Sequence, residues 1–549
     1  MFDDIELSGL EDENARQLIR RLLNLIEQVS ADLRDAQAEI QRLRDENNRL
    51  KGEQGKPKIK GNTPKPAAVD HSSEKERHKS RRHVKRNKKA TIHIDREEVA
   101  SVDPAMLPVD AKFQGYEDVV VQDILLKTDN VCFHKEKYYA ASVNKTYLAA
   151  LPRGYEGQFG PGIKSLIVTL YFGMQASEPK IGEFLANVGV QISEGELSNL
   201  LIKDQEPFHA EKEAVYEAGL RNSPWQQTDD TLTRVDGQNQ HCHVVCNSAY
   251  TVYATRPNKD RLTVLDVLRH GRTRVFRLNE EALGYMENVQ LSKAIRQTLQ
   301  VWCSEEELDE LTFLGWLDTQ LPDLGKQPRK AIVDAAAVAA YHLEEGFPVV
   351  QALVCDDAPQ FNWLTRAMML CWVHEGRPYK KLTPVIPLHR ELLNGFLERF
   401  WDYYDQLLAY RQDPTPQERM RLETAFDQLF TTQTGYDDLD KRIAKSRVKK
   451  ASLLLVLQHP ELPLHNNAAE LAVRQRVRKR DVSFGPRTQD GVRAWDTFMT
   501  LAATAKKLGI SFYAYIHDRI SGTNQIPPMA SLVELRAKEL NLGWSWSTT

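Results

Sequence analysis

The chain has 549 residues, of which 41% are hydrophobic and 27% charged, long enough for several domains and at least one large core. It has no run of eighteen apolar residues and no charged-then-apolar leader, which argues against a helical membrane protein and predicts a soluble, intracellular one. Six cysteines scattered without a framework spacing argue against a disulfide scaffold and predict reduced thiols.

The net charge of −3 conceals a segregation. From Lys51 to Ala90 there are fourteen Lys/Arg against four Asp/Glu, so that segment carries +10 and the remainder −13. A polyanion suits such a segment.

In chain order, residues 15 to 50 carry a heptad pattern. Ile19, Ile26, Leu33, Ile40 and Asn47 fall at a, and Ala15, Leu22, Val29, Ala36, Leu43 and Leu50 at d, with Asn47 as the single polar residue that sets register in a two-stranded pairing. Residues 1–50 are therefore expected to form a coiled-coil dimerisation helix through Leu22, Ile26, Val29, Leu33, Ile40, Leu43, Asn47 and Leu50. Residues 51–90 are rich in Gly, Pro, Lys and Ser, and read as a flexible basic arm that attracts DNA phosphates through Arg81, Arg82, Lys85, Arg86, Lys88 and Lys89.

Alternation in TIHID, DVVVQDILL and KYYAASVNKTYLAAL predicts a small β-rich module over 91–155. Residues 156–222 read as helical. Within them SEPKIGEFLANVGVQISEGELSNLL has a helix-turn-helix layout, with Gly189 at the turn and Ser193 as a cap. Glu194 and Glu196 make the second helix acidic at its start, so a structural hairpin is nearly as good a reading as a DNA reader.

From 223 to 520 the pattern is that of one large domain. WQQTDDTLTRV, HCHVVCNSAY and TVYATRP read as three strands, the first turn at Asp236-Gly237. Asp229 and Asp230 lie inside the first strand, where a buried carboxylate must be neutralised, a cation being one candidate. A helical insertion follows at about 270–348. Then an apolar run at Val349 to Leu353 reads as a strand ending on Asp356 and Asp357, a place that suits a hard cation, although the same pair also suits a turn before Pro359. A second helical insertion spans about 376–460, with helices near 392–412 and 416–430. The last motif, LPLHNNAAELAVRQRVRKRDVSFG, puts Glu470 and Arg474 on one helix face behind an Asn466 or Asn467 cap. Arg474, Arg476, Arg478, Lys479 and Arg480 crowd beside that glutamate as candidate DNA contacts. Residues 521–549 read as a C-terminal tail. Cys242-His243-x-x-Cys246 and Cys371-Trp372-Val373-His374 each supply only part of a tetrahedral site, so no zinc is expected.

Three antiparallel strands, a helix and a fourth strand beside the first is the order of the ribonuclease H-like fold. The expected architecture is a multidomain α+β/α/β chain, with a ribonuclease H-like catalytic core carrying helical insertions behind an N-terminal coiled coil and a β-rich module. In that fold three distant carboxylates can converge on two divalent ions about 4 Å apart and cut or join phosphodiesters.

The strings TDDTLTRV, LVCDDAPQF followed by CWVH, and HNNAAELAVRQRVRKRDVSFG leading to TAKKLGISFYAYI resemble, in that order, the bacterial insertion sequence 66 (TnpC-type) transposases of the DDE superfamily. The resemblance spans about Pro224 to Ile520. It implies Asp229, Asp356 and Glu470 as a catalytic, metal-binding triad, chosen over the neighbours Asp230 and Asp357, with Cys371, His374, Asn467 and Arg474 in support. It also implies two Mg²⁺ or Mn²⁺ ions per site. The implied partners are terminal inverted repeats and target DNA, a homodimer or larger assembly, and helper proteins of the same element, on the bacterial nucleoid. A noncatalytic DNA-binding or scaffold protein on the same fold is the alternative. Two departures stand out: residues 91–151 hold only Cys132 where the family carries paired C-x-x-C zinc ligands, and Glu375-Gly376-Arg377 replaces the arginine pair after C-W-x-H.

Overall fold

The computed structural model describes residues 12–51, 92–108, 110–304 and 306–546. Arg81, Arg82, Lys85, Arg86, Lys88 and Lys89 lie outside the described residues.

Helix α1 (Glu13–Leu50) runs unbroken for 38 residues from an Asp12 cap. The expected β-rich module reduces to one short antiparallel pair, β1 (Lys137–Ala140) and β2 (Lys145–Leu148). Alternation makes a sheet only where another layer covers its apolar face. Here Val119, Val121, Ile124 and Leu125 stand 72–82% exposed. Helices α2 (Pro161–Val168), α3 (Glu178–Asn187), α4 (Glu194–Ile202) and α5 (Glu206–Arg221) follow. Between α3 and α4, Gly189 turns at φ +84° and the Ser193 hydroxyl accepts from the Glu196 N–H at 3.2 Å, as the sequence predicts.

The centre is a mixed five-stranded sheet. β3 (Trp225–Val235), β4 (Gln238–Cys246) and β5 (Thr251–Arg256) form an antiparallel meander. Its first turn places Asp236 and Gly237 at φ +48° and +75°, the conformation a two-residue hairpin turn requires. After α6 (Arg261–Leu268) the chain leaves the sheet. β6 (Val275–Phe276) pairs with β7 (Leu308–Asp309) around α7 (Glu280–Asn288) and α8 (Lys293–Gln300), and α9 (Glu310–Gln320) and α10 (Lys326–His342) complete the first insertion. β8 (Ala352–Cys355) then pairs in parallel with β3, and β9 (Ala367–Leu370) in parallel with β8. The order is β5-β4-β3-β8-β9.

The second insertion, α11 (Trp372–Lys381), α12 (Pro387–Gln412), α13 (Pro416–Phe430), α14 (Asp437–Arg447) and α15 (Lys450–Leu453), packs around Trp372, Phe396, Phe400, Phe426 and Phe430. Helix α1 docks on it through Leu23, Asn24 and Glu27. The buried Glu27 carboxylate accepts the Val385 and Ile386 N–H groups at 2.9 and 2.7 Å. The docked face is not the heptad seam, whose Leu22, Val29, Leu33, Ile40, Leu43 and Leu50 remain 49–78% exposed.

Helix α16 (Asn467–Ser483) lies over β3 and β4, and α17 (Gln489–Leu508) runs along the open edge of β5, where the Thr251, Tyr253 and Thr255 N–H groups donate to Thr504, Thr500 and Asp496; α18 (Phe512–Ser521) and α19 (Met529–Glu539) follow. The stretch expected as a tail is thus corrected: α19 buries Met529, Val533 and Ala537 and packs on α5. Among the described residues no helix is long and apolar enough to cross a membrane.

Candidate active site

The parallel register sets Gln227 of β3 opposite Val354 of β8. The pairing ends there, with Asp229 two residues further along β3 and Asp356 one residue past the end of β8, near enough for each charge to be felt by its surroundings: that of Asp356 raises Asp229. Side chains alternate along β3, so Asp229 shares a face with Gln227, and Asp230 takes the other. Gln227 Nε2 donates to the His465 carbonyl at 2.9 Å, and Asn466 Nδ2 donates to the Thr228 carbonyl at 2.6 Å. The face of Asp229 is therefore the one on which α16 begins, with Glu470 one turn inside it.

The neighbouring carboxylates go elsewhere. Asp230 accepts from Gln360 Nε2 at 3.2 Å, with Lys259 Nζ at 3.9 Å and His241 Nδ1 at 4.0 Å. Asp357 is half-exposed and pairs with Lys449 Nζ at 2.6 Å. Both faces of the sheet are covered, so the sequence alone could not separate members of each pair.

Burial, set against one hydrogen bond from the Asp230 N–H at 2.8 Å, pushes Asp229 up to about 7, and the charges of Asp356, Asp230 and Glu470 add to the shift. Burial also raises Asp356, with His374 opposing. Its Oδ1 is buried with no hydrogen-bond partner. Among the described residues neither Asp229 nor Asp356 has an ion-pair partner. An unsatisfied Asp356 oxygen, with Asp229 near enough to feel its charge and that of Glu470, is a donor set whose chemistry suits Mg²⁺ or Mn²⁺.

Cys371, His374 and Arg377 gather at the same spot. Cys371 caps α11, and its Sγ accepts the Asn466 N–H at 3.3 Å. Burial pushes the thiol up to about 11. His374 Nδ1 is buried without a hydrogen bond, 3.3 Å from Glu470 Oε1. Burial lowers this imidazole, against the pull of Glu470. One ligand atom each of Cys371, His374 and Glu470 lies within 4.8 Å of the others. The orienting role expected of Asn467 belongs geometrically to Asn466, 1% exposed and bonded to β3.

The departure after C-W-x-H also has a physical use. Glu375 is buried and receives Arg442, Ser446 Oγ at 2.6 Å and Lys449 Nζ at 2.9 Å. A Cβ on Gly376 would meet the Trp401 ring at 2.8 Å. Both residues lock α11 to the other helices of the second insertion, a role that nothing in the local sequence announces.

The basic cluster on α16 needs correction. Five cations within seven residues, each turned about 100° from the last, cannot all face one side. Arg474 and Arg478 are exposed on the edge that carries Glu470. Arg476 is 0% exposed: it donates to Thr255 Oγ1 at 2.9 Å, pairs with Asp496 at 3.3 Å and lies over Trp495. Lys479 is also fully buried, donating to the Ala176 carbonyl at 3.0 Å with its Nζ 3.1 Å from the Tyr171 ring centre, and burial brings its amine down to about 7. Neither faces DNA. Arg480 is partly exposed and donates to the Leu232 carbonyl.

Comparison with known proteins adds two findings. The family model described as "Transposase IS66 family" matches residues 335–494, a stretch that holds Asp356, Cys371, His374 and Glu470 and begins after Asp229. The uncharacterized protein y4jO of Sinorhizobium fredii (strain NBRC 101917 / NGR234) is 32% identical over 321 residues, 58% of this chain and 99% of that relative. No solved structure matches.

Proposed function

The chain belongs to the IS66 family of transposases, and from that premise we propose that it is a DDE transposase with a ribonuclease H-like core and Asp229, Asp356 and Glu470 as its catalytic carboxylates. The observation that carries the reading is the juxtaposition of Asp229 and Asp356 under the helix of Glu470, with Asp229 raised to about 7 and an Asp356 oxygen left unsatisfied. The sheet order supports it: a meander is extended beyond its first strand by two parallel ones.

Asp229, Asp356 and Glu470 would hold two Mg²⁺ or Mn²⁺ ions, which supply activation of an attacking oxygen and stabilisation of the leaving one. The chain's own residues position everything else. Asn466 ties the start of α16 to β3 and so fixes Glu470 over Asp229. His374 steers the Glu470 carboxylate from the α11 side. Arg474 and Arg478, one turn apart and exposed, bind successive phosphates of the DNA strand, and the basic arm adds salt-sensitive attraction. The reaction proceeds as hydrolysis of a phosphodiester at each element end, then attack of the freed 3′-hydroxyl on a target phosphodiester. The exposed seam of α1 pairs two copies.

The test is strand cleavage and joining on DNA carrying the terminal repeats, with Mg²⁺. Asp356→Asn and Glu470→Gln are expected to lose at least about 10³-fold in rate. Full activity in either variant would remove this triad.

A further inference from the structure

Arg377 sits on Glu470. Its Nη2 lies 3.2 Å from Glu470 Oε2 and 3.5 Å from Oε1, while Nη1 donates to His374 Nε2. The spacing of three residues on α11 puts His374 and Arg377 on one face, so imidazole and guanidinium grip the same carboxylate from one side. Arg377 is 48% exposed on its side chain, Glu470 only 15%. The guanidinium therefore has room to leave, and the carboxylate does not. Among the described residues, Asp229 and Asp356 have no such ion-pair companion.

A guanidinium and a divalent ion cannot both occupy a carboxylate's oxygens without strong repulsion, which is greater where water is partly excluded. We propose that Arg377 is the resident counter-cation of this site: it holds Glu470 in place in the metal-free protein, yields when a divalent ion arrives, and so sets the affinity for that ion. The proposal rests on the metal-site reading above and assigns Arg377 a positioning role in it. It explains why the three carboxylates are handled unequally. Asp229, on β3, and Asp356, directly after β8, are held by the sheet, whereas the one on a long helical side chain needs a tether when no metal is present.

The experiment is titration of the full-length, DNA-free protein with Mn²⁺, followed by calorimetry, for the wild type and for Arg377→Gln, Arg377→Lys and Glu470→Gln. Arg377→Gln is expected to bind Mn²⁺ on the order of three- to tenfold more tightly than wild type, since a partly exposed ion pair no longer competes. Arg377→Lys, which keeps a point charge but loses the fork, is expected to fall between them. Thermal melting without metal gives a second readout: Arg377→Gln should melt lower than wild type without Mn²⁺ and gain more on its addition. Equal or weaker Mn²⁺ binding in Arg377→Gln, with binding lost in Glu470→Gln, would overturn the counter-cation role while leaving the metal site intact. Unchanged binding in Glu470→Gln would remove the metal site itself, and the proposal with it.

Discussion

Glu375 and Asp229 are both carboxylates largely withdrawn from water, and the protein treats them in opposite ways. Glu375 meets two cations and a hydroxyl, and Asp496 likewise meets Arg476 together with the Thr255 N–H and hydroxyl. Asp229 has one backbone N–H and a set of like charges. A structural carboxylate is neutralised where it lies. One left facing other carboxylates is costly, and the cost is tolerated where a cation comes from outside the chain.

Removing charge should therefore have opposite signs in the two places. Glu375→Ala leaves Arg442 and Lys449 without their buried partner, and denaturant melts should show a loss of about 3 to 5 kcal/mol. Asp229→Asn should instead stabilise the metal-free protein at pH 8, by on the order of a few kcal/mol. The sign follows from the raised Asp229: its folded value, about 7, lies above the ordinary 3.8. Stability is thus fully present below the ordinary value and is lost as pH rises through about 7. By the same linkage, protons compete with metal, so wild-type Mn²⁺ affinity should rise with pH, by roughly tenfold per unit below about 7. A flat profile between pH 6 and 8 would mean that Asp229 is not a ligand.

The same contrast divides α16. Arg476→Ala strands Asp496 and should cost about 3 kcal/mol in melts. Arg478→Ala should leave the melt unchanged and lower the salt dependence of DNA binding by about one ion. Similar melts for the two variants would contradict the burial of Arg476.

Much of this arrangement is legible in the chain. Period-two alternation with an Asp236-Gly237 turn gives the meander, the apolar run to Leu353 gives β8, and the spacing around Glu470 gives α16. What is not legible is orientation. With helices on both faces of the sheet, no pattern distinguishes Asp229 from Asp230, and it is the contact of the Gln227 side chain with the His465 carbonyl, beside that of Asn466 with Thr228, that shows which face α16 takes. The inward turn of Arg476 and Lys479 depends on the rotation of α16 about its axis, for which charged residues give no periodic signal. Exposed alternation at 116–126 misleads in the other direction, since its apolar side chains Val119, Val121, Ile124 and Leu125 stay exposed.

The central claim is spatial: Asp229, Asp356 and Glu470 surround one ion-binding place. Fe²⁺ loaded in place of Mg²⁺, with ascorbate and peroxide, cuts the backbone beside the ion and reports that place directly. Fragments ending near residues 229, 356 and 470, suppressed by excess Mg²⁺ and absent in Glu470→Gln, are the expected result. Cuts confined to other segments, or the same cuts persisting in Glu470→Gln, would contradict it.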